Sequence, residues 1–105
     1  MYYYTSLALD SSGYPPHISY FDNTNHDLKY AFLNGTGWTT TVVDSDGDVG
    51  GIVSSLALDL KGFPHISYCD YTNTALKYAF RNGTGWTTTT VDSDGNVGAI
   101  YLARP

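Results

Sequence analysis

Glutamate is absent from this sequence: all ten acidic side chains are Asp. Lys and Arg together number five, and charged residues make up 14% of the chain, against about 25% in an average globular domain. With a net charge of −5, no basic patch for nucleic acid can be built. Glu and Lys favour helices, so their scarcity points away from helical structure. No apolar run reaches the roughly 18 residues of a membrane span, and no charged-then-apolar leader precedes the first strand. The expectation is a soluble chain with no membrane partner; an extracellular protein whose leader had been removed would look the same. Cysteine occurs once, at Cys69, so no internal disulfide forms and the compartment stays open.

What the chain does contain is Tyr, Thr and Gly, arranged twice. Its 105 residues suffice for one small domain. Residues 5–52 align with 54–100 through one deletion near Pro15, and 35 of 47 aligned pairs are identical. SLALD recurs at Ser6 and Ser55, PHISY at Pro16 and Pro64, and LKYAF at Leu28 and Leu76. NGTGWTTT recurs at Asn34 and Asn82, and VDSDG at Val43 and Val91. The unit boundaries are therefore 1–53 and 54–105.

Each unit predicts four short strands: SLALD, HISYFD or HISYCD, Leu28 to Leu33 or Leu76 to Arg81, and Trp38 to Val43 or Trp86 to Val91. Asn-Gly between β-rich runs is a strong hairpin signal. Short loops imply an antiparallel meander, and no 3.6-residue apolar period is long enough for a helix. Ile18 and Tyr20 alternate with His17, Ser19 and Phe21, so neither face is plainly polar and both should be covered. A repeated four-stranded sheet covered on both faces predicts an all-β fold with β-propeller blades, two per chain. A β-sandwich is the alternative.

The pattern SLALD…G.PHISY.D…LKYAF.NGTGW…VDS.G.VG resembles a repeat found in tandem in bacterial propeller-like proteins. Two blades in about a hundred residues with an Asn-Gly-x-Gly-Trp hairpin are also similar to the bacterial two-blade fucose-binding lectins. That resemblance implies a homotrimer closing a six-bladed ring, with sugar bound between blades. A two-blade monomer would leave apolar faces and sheet edges in water, which self-association removes. Gly98 to Tyr101 continues the pattern of Gly50 to Val53, and Tyr2 to Tyr4 stand in the equivalent place before SLALD. The expected partner is the chain itself, as a trimer first and a tetramer next; glycans are the expected ligand.

Trp38 and Trp86, with Tyr30 and Tyr78, are candidate sugar-stacking residues common to both units. Tyr71 and Arg81 replace Asn23 and Leu33 and would make the junctions of two kinds. The fucose lectins clamp sugar with Arg and Glu beside Trp; this chain has no Glu, and Arg only at 81 and 104, which speaks against fucose. The competing role for each Trp is packing, with one hydrogen bond for its indole N–H. Asp44, Asp46 and Asp48, echoed by Asp92 and Asp94, have Ca²⁺-loop spacing without the Gly and Glu that complete such a loop, so turn chemistry is the expected role. His17 and His65, two residues from Ser19 and Ser67, lack a nucleophile elbow. They suit a hydrogen bond to a neighbouring blade. No enzyme activity and no cofactor are expected: the chain reads as a carbohydrate-binding module, or else as an interaction scaffold without a small-molecule site.

Overall fold

In the computed structural model, which describes residues 5–10, 15–83, 85–95 and 97, eight β-strands form and, among those residues, no helix. The strands are β1 (Ser6–Leu9), β2 (Pro16–Asp22), β3 (Asp27–Leu33), β4 (Trp38–Asp44), β5 (Val49–Leu58), β6 (Pro64–Asp70), β7 (Ala75–Arg81) and β8 (Trp86–Asp92). They make two antiparallel four-stranded sheets, β1-β2-β3-β4 and β5-β6-β7-β8. The meander follows the sequence repeat, since Thr and Tyr fill the strands and Asx and Gly turns close them. The 53/54 unit boundary falls inside β5, which starts earlier than the SLALD motif. The stretches Tyr2–Tyr4 and Gly98–Tyr101, expected to continue the repeat, lie outside the described residues.

Turn chemistry is the same in both sheets. The Asp22 carboxylate accepts hydrogen bonds from the Thr24 and Asn25 amides and from Asn25 Nδ2, at 3.0, 3.3 and 3.0 Å. Asp70 accepts from the Asn73 amide and Nδ2 at 3.1 and 2.8 Å. Each turn ends on a left-handed residue that is not glycine, His26 at φ 61° and Thr74 at φ 50°. A β-branched residue is strained there. Thr74→Asn should therefore raise the unfolding free energy by about 0.5–1 kcal/mol, measured by urea denaturation; unchanged or lower stability contradicts this. In the NGTG hairpin the positive φ belongs to Gly35, at 88°, and not to Asn34.

The sheets stack face on face, which neighbouring blades and sandwiches have in common; face contact alone does not separate the two folds. More telling is which faces meet. Sheet one buries His17, Ser19, Leu28 and Tyr30, whereas sheet two buries Ile66, Tyr68, Lys77 and Ala79. The counterparts of Ile66 and Tyr68 are Ile18 and Tyr20, on the opposite side of β2 from His17 and Ser19. The two sheets thus bury opposite faces of one repeated sequence. That is why neither face of the repeat is polar.

A bulge fixes the centre of the contact. Leu28 pairs with Asp44 and Lys29 with Val42, so Val43 is the extra residue. Val43 and Asp44 are both buried as a result. Asp44 accepts from Tyr68 Oη at 2.7 Å and Lys77 Nζ at 3.0 Å, both on sheet two. Ser19 and Ser54 share a 2.8 Å hydrogen bond across the sheets. Leu28, Tyr30, Val49, Leu56, Ile66 and Ala79 complete the apolar core around them.

Candidate functional site

Two turns of sheet two and one end of sheet one enclose a cleft of about 260 Å³. His17, Tyr30 and Phe32 form its first wall; Phe63, Pro64 and Arg81 form its second, with Gly62 and Gly83 at the rim. The first wall is a run of rings, because β2 and β3 pair His17 with Phe32 and place Tyr30 two residues along the same face. The His17 and Phe32 rings stack 6.0 Å apart at 17°. The second wall depends on a turn organised by Asp59, which accepts from the Lys61 and Phe63 amides at 2.9 and 3.0 Å. Gly62 takes φ 86° in that turn, and its amide donates to the Asp59 carbonyl at 2.9 Å.

Among the residues lining the cleft, Arg81 carries the one fixed charge. Burial lowers the pKa of His17, with a smaller opposing pull from Asp10, so its imidazole stays uncharged at neutral pH. Burial pushes the Tyr30 phenol up to about 12, partly offset by the Arg81 cation. His17 Nδ1 and Tyr30 Oη share a hydrogen bond, as His65 Nδ1 and Tyr78 Oη do at 2.6 Å. Each His therefore bonds to the next strand of its own sheet. The expectation of a bond to a neighbouring blade is corrected: cross-strand neighbours on one face lie within reach and satisfy the ring first. Sealed against Ser54 and fully buried, Ser19 is not presented to a substrate.

Of the residues singled out as sugar contacts, the cleft gathers Tyr30 and Arg81. Trp86 lies between the sheets instead, edge-on to Tyr30 with centroids 5.2 Å apart, and its indole N–H donates to Thr41 Oγ1 at 3.3 Å. Trp38 occupies the equivalent place on the outer face of sheet one and is 52% exposed. Tyr78 borders a separate hollow of about 220 Å³ on the outer face of sheet two, with His65 and Ser67. Tyr71 sits at the far end of β6 from Pro64, where its amide donates to the Asp48 carbonyl at 2.8 Å.

The Asp-rich segments serve as turns and anchors. Asp44 and Asp92 accept from the Asp46 and Asp94 amides, each at 2.9 Å. The Asp48 amide donates to Thr72 Oγ1 at 2.8 Å, and its carboxylate lies 3.6 Å from His26. Added at Gly47, a Cβ would come within 2.8 Å of that Thr72 hydroxyl, so the loop packs tightly on sheet two.

His17, Phe32, Phe63 and Pro64 were not foreseen as lining residues. They are apolar or ring residues in strand positions that a core also requires, and Phe63 enters only through the turn. The visible signal was the unlike pair Leu33/Arg81. No family model, curated protein or solved structure matches this chain.

Proposed function

We propose that this chain is a non-enzymatic carbohydrate-binding module whose two sheets are consecutive blades of a β-propeller. The observation that carries the reading is the cleft between the sheets, where stacked rings face a guanidinium across about 260 Å³. Small-molecule sites span about 300–1,000 Å³, so this one suits a single sugar ring. Apolar C–H faces of a sugar pack on Phe32, Phe63 or Tyr30, and the fixed N–H fork of Arg81 donates to its hydroxyls. A binding role fits better than catalysis, since His17 is tied to Tyr30 and Ser19 to Ser54. The stacking of blade on blade continues into a ring in this reading. A homotrimer gives six blades and a tetramer eight, within the roughly 4–8 of known rings.

A glycan array identifies the sugar, and calorimetry of the hit with Arg81→Leu tests the site. That variant copies Leu33 of the first unit. It should bind about tenfold or more weakly, the loss of a charged hydrogen bond. A silent array moves the balance to the scaffold reading; equal affinity for parent and variant removes Arg81 from the site.

A further inference from the structure

We infer that the two outer faces of the chain are the two halves of a second copy of its internal interface, and that they take a second copy of this chain head to tail. The inference rests on the blade reading and adds the partner surface. Many buried groups of the internal contact have an identical counterpart that is exposed or half-exposed; Ala31, the counterpart of Ala79, stays buried, and Thr5 stands in place of Ser54. Leu56 is 7% exposed, and its counterpart Leu7 is 62% exposed. Asp44 is buried and Asp92 exposed; Ser19 is buried and Ser67 exposed. These are not random surface residues, because the same types in the same strand positions already pack together once.

The charges are divided between the faces in a complementary way. Inside the chain, Asp44 on sheet one receives Tyr68 and Lys77 from sheet two. Outside it, Asp92 stands on the exposed face of sheet two, opposite Leu76 across a bulge identical to that at Asp44. Tyr20 and Lys29, the counterparts of Tyr68 and Lys77, pair on the outer side of sheet one. One face therefore holds the acid and the other its phenol and cation. Such a contact is heterologous and not two-fold, since neither face carries both halves. Shape agrees with charge: the hollow beside His65, Ser67 and Tyr78 corresponds to the surface of sheet one where Ser19 meets Ser54 and Tyr30 meets Trp86.

Docking also completes a second cleft, with His65, Tyr78 and Phe80 from one copy facing Pro16 and Leu33 of the next. Leu33 stands where the internal cleft has Arg81, so the intermolecular cleft is the more apolar of the two. The ring would alternate between them.

Light scattering after gel filtration tests the contact through a charge exchange. The parent chain should exceed the 11.5 kDa of one copy. Lys29→Asp and Asp92→Lys should each fall to monomer mass, with self-association weakened about a hundredfold or more, and the double variant Lys29→Asp/Asp92→Lys should recover the parent mass. Recovery is the informative arm, because misfolding would not be repaired by a second reversal. A parent that stays at one chain's mass across the micromolar range overturns the inference, as do single variants that assemble like the parent. The cleft holding Arg81 is complete within one chain, so failure to assemble leaves sugar binding measurable, and silence on the array leaves the mass unaffected.

Discussion

Asp44→Ala should lower the free energy of unfolding by about 3–5 kcal/mol, the cost of breaking a buried ion pair by removing one partner. The Asp44 side chain is 5% exposed and that of Lys77 11%, so water cannot replace the lost carboxylate. Alanine leaves the Lys77 ammonium and the Tyr68 hydroxyl buried together without their acceptor, and it also frees the Asp46 amide. Small domains have only about 5–15 kcal/mol in total, so this one change consumes much of the stability. Urea denaturation followed by circular dichroism measures it. A loss under about 1 kcal/mol would show that the pair is solvated and that the sheets are not held as described. Asp44→Leu combined with Lys77→Met should be far milder, because apolar replacement of a whole buried pair is often near neutral.

The same residue sets an acid limit. Burial alone would raise the Asp44 pKa, but hydrogen bonds from Tyr68, the Asp46 amide and Lys77 outweigh it, and the net shift is downward. A carboxylate with a lowered folded pKa contributes stability that is fully present above its unfolded value of about 3.9. That contribution drains away as the pH falls through the lower folded pKa. The acid unfolding curve of Asp44→Ala should accordingly be flatter than the parent's below about pH 4.

All eight strands were readable from the repeat, because alternation and Asx-Gly turns act locally. Strand β5 was the exception in extent: the repeat places the first strand of the second unit at SLALD, yet β5 starts at Val49 and departs from regular pairing between Val49 and Ser54. Which face is buried could not be read, since the sheets bury opposite faces of nearly the same residues. Only relative position in the stack assigns Ile18 outward and Ile66 inward. The His–Tyr bonds and the cleft were hidden for a similar reason, being set by cross-strand register and by turns brought together from distant segments. What did show was difference against a repeated background: Arg81 in place of Leu33 marked one wall of the cleft.

That background yields a final contrast between two tryptophans of identical local sequence. Trp86→Ala should destabilise the chain by about 3 kcal/mol, the lower end for removal of a buried aromatic, since the ring is only partly covered. It deletes the edge contact with Tyr30 and the donor to Thr41, and opens the core between the sheets. Trp38→Ala removes the same side chain from the same hairpin, but from an exposed face. In dilute solution its cost should stay within about 0.5 kcal/mol, as for other surface substitutions. Urea unfolding of both variants at low concentration checks the pair, and equal losses would contradict the assignment of Trp86 as the inter-sheet residue. At concentrations where the parent associates, the order should reverse for assembly. Trp38 would then occupy between copies the place Trp86 holds within one, against Tyr78 and Thr89, so Trp38→Ala should lower the measured mass while leaving the isolated fold intact. One residue type, at one position of one motif, thus has its energetic role decided by what lies across the sheet from it.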